Sequence, residues 1–178
     1  MKILYCMKTL PKKNLRRAVF FDRDGVLNKK PLEHDYVKSH EEFFWNKGAM
    51  ELVKKINDLG FLAVVISNQR GIARGMVTAA FVEDLHLRMN AELAEVDARI
   101  DAFYYCPHGN DDKCACRKPL HGLFLKAAEE WGIDLENSFA VGDSDVDDEA
   151  AVRAACVPIR IPVDVLSVDG IVTVLAGK

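Results

Sequence analysis

The most constraining feature of this sequence is a run of bulky apolar residues, Val19 to Phe21, that leads directly into Asp22 and Asp24. In an extended strand alternate side chains share a face, so both carboxylates should point the same way from the end of a buried strand. Two like charges placed together repel unless a cation lies between them or one carboxyl keeps its proton. The pair is therefore more typical of a catalytic or metal site than of a packing motif.

The composition favours one soluble globular domain. The chain has 178 residues, 49% hydrophobic and 29% charged, which is enough for one core and too few for two comfortable domains. We therefore expect a single domain over residues 1–178, with a basic lead-in over 1–17. The formal net charge of -3 offers no basic field for nucleic acid, and no apolar run is long enough to span a membrane. A cytoplasmic monomer with no nucleic-acid or membrane partner is expected.

Strand patterns alternate with helix patterns along the chain. This order predicts an α/β fold, a parallel sheet covered by helices on both faces, in which ligands bind beyond the carboxyl ends of the strands. The last strand carries prolines, which place it at an edge of the sheet. Residues 28–40 form an irregular flap, and residues 162–178 receive no assignment. The first predicted strand ends at Phe21, and the others cover 61–66, 100–105, 138–141 and 157–161. The predicted helices cover 48–60, about 78–95, about 124–131 and about 146–155. Val96 is expected to face inward with the second helix.

Polar residues suited to phosphate chemistry follow three of these strands. A carboxylate can attack phosphorus when a cation neutralises charge and donors hold the phosphoryl oxygens. On this hypothesis Asp22 is the nucleophile, Asp24 the general acid and base, and Ser67 a donor to the phosphate. Lys118 supplies a fixed positive charge and Asp143 is a ligand of Mg²⁺, which prefers oxygen ligands. The neighbouring Asp147 is either a Mg²⁺ ligand or a partner of a ligand. The remaining acids of this run are explained by the helix dipole, which stabilises negative charge near a helix start: Asp145, Asp148 and Glu149.

A second group of residues suits a different metal. Three cysteines and one histidine bracket a short polar loop over 106–116, and four such soft ligands suit a closed tetrahedral zinc site. The alternative is three unrelated reduced cysteines and a loop histidine. The loop leads directly into Arg117 and Lys118, so ordering it would aim both side chains at the phosphate. The expected Zn²⁺ ligands are Cys106, His108, Cys114 and Cys116.

Four of these elements resemble, in order, the four motifs of the haloacid dehalogenase (HAD) superfamily of phosphohydrolases. The matching elements are VFFDRDGVLN from Val19, the apolar run into Ser67 and Asn68, Lys118, and Gly142-Asp143 followed by Asp147. The resemblance implies a Rossmann-like three-layer αβα sandwich and an Asp22 phosphoenzyme. It also implies Mg²⁺ held by Asp22, Asp143 and the backbone carbonyl of Asp24.

The loop followed by CRKP resembles the capless HAD branch that contains heptose-bisphosphate phosphatases and histidinol-phosphate phosphatases. Two stretches are more similar to the heptose enzymes, Ser67-Asn68-Gln69 and Gly71-Ile72-Ala73-Arg74-Gly75. The short loop between His108 and Cys114 is more similar to the histidinol-phosphate group. Arg70 and Ser144 depart from both patterns. The resemblance implies a Mg²⁺-dependent phosphomonoesterase without a large cap domain, acting on a small phosphorylated metabolite, first of all D-glycero-D-manno-heptose 1,7-bisphosphate.

Several substrate contacts and rival functions stay open. Asn68 and Arg117 are candidate substrate-binding residues, and Arg74 is either an exposed loop charge or a contact to the distal part of a substrate. The rival functions are a histidinol-phosphate phosphatase and a non-catalytic zinc-stabilised binding module. The tryptophans and Cys156 are expected to pack, Cys6 to be a free thiol, and four histidines outside the motifs to lie at the surface: His34, His40, His86 and His121.

Overall fold

The computed structural model describes residues 15–33 and 35–177, so most of the basic lead-in, Cys6 and His34 lie outside the described residues. One five-stranded parallel sheet organises the described chain, in the order β3-β2-β1-β4-β5. The predicted parallel sheet and the edge position of the last strand are confirmed. The strands are β1 (Ala18–Phe21), β2 (Leu62–Asn68), β3 (Ala102–Cys106), β4 (Phe139–Gly142) and β5 (Val157–Arg160).

Helices pack on both faces of the sheet and complete three layers. In β1, Val19 and Phe21 face one apolar cluster and Ala18 and Phe20 face the other, as the alternation of a strand requires. The first cluster includes residues of α1, α2 and α5, and the second includes residues of α3 and α4. None of the helices in the described part of the chain is both long and apolar enough to cross a membrane. The helices are α1 (Ala49–Asp58), α2 (Ala79–Ala94), α3 (Gly122–Trp131), α4 (Asp145–Arg153) and α5 (Val168–Ala176), with short 3₁₀ turns at His40–Glu42 and Leu135–Asn137.

Helix α5 occupies the segment for which the sequence offered no assignment. Its N-terminus is capped by Ser167, whose hydroxyl accepts a hydrogen bond from the Gly170 amide at 3.3 Å. Ile171 and Leu175 are buried, and the helix contacts α1. The segment is rich in β-branched residues, which favour strands locally, so packing of its apolar face against the core, together with the Ser167 cap, makes it helical.

Two element boundaries shift for identifiable reasons. Strand β3 begins at Ala102 rather than Ile100, because the Asn90 side chain binds both the amide and the carbonyl of Ile100, at 2.8 and 2.9 Å. Helix α4 begins at Asp145 because Ser144 and Asp147 form a capping box around its first turn. Both shifts come from side-chain bonds to the backbone, which periodicity alone does not reveal.

The predicted surface position of His86 is wrong, and so is the inward position of Val96. His86 is 5% exposed, on the inner face of α2, and its ring stacks on Phe103 with centroids 4.3 Å apart. Val96 is 39% exposed because α2 ends at Ala94, so the residue no longer follows the helical spacing. Cys156 is buried as predicted, and Trp45 and Trp131 pack against the two apolar clusters.

We expect His86 to make the protein sensitive to acid. Burial, and next the nearby Arg23 guanidinium, lower the pKa of His86 to about 3, whereas its ordinary value is 6.5. Below pH 6.5 His86 therefore binds a proton in the unfolded chain but stays neutral in the folded protein, so the free energy of unfolding falls on acidification. The substitution His86→Phe should remove about 2 to 3 kcal/mol of the stability loss between about pH 7 and pH 4.

The measurement is urea unfolding of wild type and variant across that pH range. Leu87→His is the matched control, since Leu87 is 73% exposed on the same helix and an imidazole there should titrate alike in both states. An unchanged pH dependence in His86→Phe would contradict the assignment.

Candidate active site

The carboxyl ends of three neighbouring strands meet at one edge of the sheet. Strand β1 lies between β2 and β4, and the Asp22 amide donates to the Val141 carbonyl at 3.0 Å, so the chain continues the β1–β4 pairing past the strand. Ser67 lies near the end of β2 and Asp143 directly follows β4. The sheet thus brings together three residues that are far apart in sequence.

Asp22 lies against a buried ammonium group. Lys118 is 5% exposed, and its Nζ lies 2.8 Å from Asp22 Oδ1, 2.5 Å from Asp147 Oδ1 and 2.8 Å from the Ile66 carbonyl oxygen. Burial raises the pKa of the Asp22 carboxyl to about 7, although the Lys118 ammonium opposes this rise. Burial would lower the pKa of Lys118, but the charges of Asp22 and Asp147 outweigh it, so the amine is protonated. A further cation beside Asp22 would favour its ionised, nucleophilic form.

Three carboxylates converge where a divalent cation would fit. One oxygen from each of Asp22, Asp143 and Asp147 lies within 4.8 Å of the others. Asp143 Oδ1 is buried and accepts no hydrogen bond from a described residue, which is costly for a carboxylate unless another ligand satisfies it. Gly25, at φ +96°, passes so close to the Asp143 carboxylate that a Cβ there would collide with it. The residues present therefore fit a hard cation with oxygen ligands, such as Mg²⁺.

Asp24 stands apart from this cluster in a network of donors. Its carboxylate accepts hydrogen bonds from Arg23 at 3.0 and 3.1 Å, from Asn28 at 2.9 Å and from Gln69 at 3.0 Å. Burial would raise the pKa of Asp24, but Arg23 and the amide donors outweigh it and the pKa lies below its ordinary value. The Gln69 amide also donates to the Ser67 hydroxyl at 2.7 Å. One side chain thus connects the predicted acid and base to the predicted phosphate donor.

Asn68 clamps the backbone of Lys118. Its Oδ1 accepts from the Lys118 amide at 3.0 Å, and its Nδ2 donates to the Lys118 carbonyl at 3.1 Å. The amide that the sequence suggested for substrate binding is therefore engaged with the protein itself, although Asn68 also lines the cavity. Its geometry is that of a residue that fixes the direction of the Lys118 side chain.

An open cavity of about 310 Å³ lies over these residues. Arg70 and Arg117 line it, and neither guanidinium forms an ion pair with a described carboxylate. Arg74 does not line it; its guanidinium lies 6.0 Å from the centroid of the Tyr36 ring. The predicted flap over 28–40 forms one wall, to which it contributes Lys30, Pro31, Leu32, Glu33, Asp35 and Tyr36.

Lys30 reaches from the flap into the carboxylate cluster. Its Nζ lies 2.6 Å from Asp143 Oδ2, and its backbone amide donates to Asp164 Oδ1 at 2.9 Å. The Asp164 amide in turn donates to the Gly25 carbonyl at 2.9 Å, and the Asn46 side chain donates to Asp164 Oδ1 at 3.2 Å. The segment before α5 therefore fixes the root of the flap.

Sequence reasoning did not single out three functional side chains: Arg23, Gln69 and Lys30. Arg23 lies between the two aspartates, yet its side chain is almost fully buried (1% exposed) and pairs with Asp24, which is unusual for arginine. Gln69 directly follows Ser67-Asn68, so its position in the motif was a usable signal. Nothing local distinguishes Lys30 from Lys29, because only the fold brings Asp143 near one of them.

The four predicted zinc ligands lie together beside this cavity. Cys106 Sγ lies 3.1 Å from Cys116 Sγ and 3.8 Å from Cys114 Sγ, and His108 Nδ1 lies 3.2 Å from Cys116 Sγ. Ligands at tetrahedral Zn²⁺ bond lengths of about 2.0 to 2.3 Å are separated by about 3.3 to 3.8 Å, so the group can hold a metal with little adjustment. No disulfide joins the described cysteines.

Comparisons with known proteins agree with the fold. The model of the polynucleotide kinase 3 phosphatase family matches residues 17–154. The chain is 37% identical over 142 residues to a D-glycero-beta-D-manno-heptose-1,7-bisphosphate 7-phosphatase of Bordetella bronchiseptica, covering 80% of this chain and 78% of that protein. It is 39% identical over 142 residues to a protein of the same name from Helicobacter pylori, covering 79% and 80%.

Solved structures give the same result. The crystal structure of D,D-heptose 1,7-bisphosphate phosphatase from B. bronchiseptica, complexed with magnesium and phosphate, matches with a TM-score of 0.75 at 37% identity and covers 80% of this chain and 78% of that one. The corresponding enzyme from Burkholderia thailandensis matches with a TM-score of 0.55 at 31% identity, covering 79% and 75%. The predicted resemblance is confirmed. The chain belongs to the HAD superfamily of phosphatases, in the family that includes the D-glycero-beta-D-manno-heptose-1,7-bisphosphate 7-phosphatases.

Proposed function

We propose that this protein is a Mg²⁺-dependent phosphomonoesterase that acts on a small phosphorylated metabolite through an aspartyl-phosphate on Asp22. One observation carries the proposal: the Asp22 carboxylate lies 2.8 Å from the buried Lys118 ammonium, beside Asp143 and Asp147, at the floor of an open cavity. A carboxylate in this setting has both the counter-charge and the access that a nucleophile toward phosphorus needs. The relatives with the name of a phosphatase support the same reaction class.

The described residues can perform each step of the hydrolysis. An Asp22 oxygen attacks phosphorus, and the bond between phosphorus and the ester oxygen breaks as Asp24, which carries a proton at this step although its neighbours lower its pKa, donates that proton to the leaving alkoxide. Asp24 then takes a proton from the water that attacks the aspartyl-phosphate, which releases inorganic phosphate and restores Asp22. The Ser67 hydroxyl and the Lys118 ammonium hold the phosphoryl oxygens throughout.

We propose that Asp22, Asp143 and the backbone carbonyl of Asp24 hold the Mg²⁺. When bound, Mg²⁺ neutralises the charge that builds up on the phosphoryl group. Asp147 Oδ1 forms an ion pair with the Lys118 ammonium at 2.5 Å, and Asp147 Oδ2 accepts hydrogen bonds from the hydroxyl and the backbone amide of Ser144. This favours a role behind the ligands for Asp147 rather than direct coordination.

The substrate we favour is D-glycero-D-manno-heptose 1,7-bisphosphate, with removal of the 7-phosphate. The relatives at 37% and 39% identity carry the name of this activity. The cavity volume suits a sugar phosphate, and Arg117 and Arg70 offer guanidinium groups for a second phosphate, which arginine binds through paired hydrogen bonds. Arg74 lies farther out, where only the distal part of a longer ligand would meet it.

We propose that Cys106, His108, Cys114 and Cys116 hold a structural Zn²⁺. Their loop leads directly to Lys118, and Arg117 Nη1 donates to the His108 carbonyl at 3.4 Å, so a metal here would order the backbone that carries the catalytic ammonium. Four protein ligands leave no position for a reactive water, which argues against a catalytic zinc. Thiols free to bind zinc need a reducing compartment, which supports the cytoplasm.

The substitution Asp22→Asn should abolish turnover and preserve the fold. An amide cannot attack phosphorus, so we expect kcat to fall by about three orders of magnitude or more. Phosphate release is the measurement, with circular dichroism as the check on folding. Asp145→Asn is the matched control, because the Asp145 side chain is fully exposed and its partner among the described residues is Arg160 at the surface. A folded Asp22→Asn protein with normal function would instead support the non-catalytic zinc-stabilised module.

A substrate panel should rank the bisphosphate first. We expect the highest kcat/KM on heptose 1,7-bisphosphate, then histidinol phosphate and simple phosphomonoesters. A 3′-phosphorylated oligonucleotide belongs in the panel because of the family model that matches, and the net charge of -3 predicts poor turnover of it. If heptose bisphosphate ranks below the other esters, the substrate assignment is wrong and the reaction class is unaffected.

The purified protein should contain about one zinc per chain, and chelation should lower its melting temperature. Cys116→Ser should lose the metal, whereas Cys156→Ala, which changes a cysteine outside the loop, should keep it. Elemental analysis and thermal unfolding measure the two quantities. Far less than one zinc per chain, with unchanged stability after chelation, would refute the structural site.

A further inference from the structure

Two adjacent lysines in the flap have different surroundings. Lys29 is 52% exposed in its side chain, and its Nζ comes only within 4.0 Å of Asp164. Lys30 lines the cavity and its Nζ lies 2.6 Å from Asp143 Oδ2. The Lys30 backbone amide donates to Asp164, which fixes the start of a side chain whose ammonium pairs with Asp143.

The balance of charge around the cavity indicates what the Lys30 ammonium does there. Four carboxylates surround the reacting position, and among the described residues two buried cations, Arg23 and Lys118, pair with three of them. Lys30 adds a third positive charge next to the expected metal ligand Asp143. A positive charge there repels a divalent cation and attracts the phosphoryl group of a substrate. The four carboxylates are those of Asp22, Asp24, Asp143 and Asp147.

We propose that Lys30 is a positioning residue that raises the affinity of the site for phosphate and lowers its affinity for the divalent cation. The inference rests on the proposed function and concerns the same site. Lys30 acts through Asp143. Its ammonium pairs with Oδ2 of that carboxylate, while Oδ1 accepts no hydrogen bond from a described residue. Its side chain is 42% exposed, so the ammonium is also within reach of a ligand in the cavity.

The test is calorimetric titration of Lys30→Met with Mg²⁺ alone, and with inorganic phosphate at saturating Mg²⁺. Methionine keeps most of the length of the side chain and removes its charge. We expect Mg²⁺ to bind at least about threefold more tightly and phosphate at least about threefold more weakly. Lys30→Arg should restore phosphate binding toward the wild-type value, and Lys29→Met should leave both affinities unchanged.

A purely structural role for Lys30 would give a different pattern. If Lys30 only held Asp143 in place, both affinities would fall in Lys30→Met, and this result would overturn the proposal. Unchanged affinities for both ligands would overturn it equally. Because neither titration requires turnover, a wild-type protein that binds both ligands and hydrolyses no ester would refute the proposed function and leave this inference intact.

Discussion

The whole site depends on the balance between carboxylates that the sheet forces together and the ammonium group buried among them. Lys118 Nζ lies within 2.8 Å of oxygens from Asp22, Asp147 and the Ile66 backbone, so three separate segments share one cation. In a buried setting each unpaired carboxylate would otherwise lose its charge. The position of Lys118 therefore decides whether Asp22 can act as a nucleophile.

The rest of the structure keeps that ammonium and its partners in place. Asn68 holds both backbone polar groups of Lys118, and the loop with the cysteine cluster enters the same residue from the other side. On the opposite wall Asp164 ties the flap to the loop that follows β1. Two loops thus flank the open cavity, and each is fixed at its base by side-chain bonds to the backbone.

Much of the fold could be predicted because it depends on local sequence patterns, the apolar runs and their order along the chain. Continuous β-branched runs mark strands buried on both faces, and β2 is such a run. Parallel strands must place their carboxyl ends at one edge of the sheet, so the sequence alone assigns Asp22, Ser67 and Asp143 to one site if their strands are neighbours. Helix α5 could not be predicted, because its β-branched residues favour a strand and it is tertiary packing that makes it a helix.

The sequence by itself determined the chemical groups of the site and the strand ends that carry them, because apolar periodicity and the order of motifs are local properties. Only the tertiary structure decided which side chains meet across long sequence distances. It buries His86 against Phe103, joins Gln69 to Asp24, and directs Lys30 rather than Lys29 to Asp143. The reason is physical: burial and charge pairing depend on neighbours that the fold supplies, and two adjacent lysines are equivalent until it does.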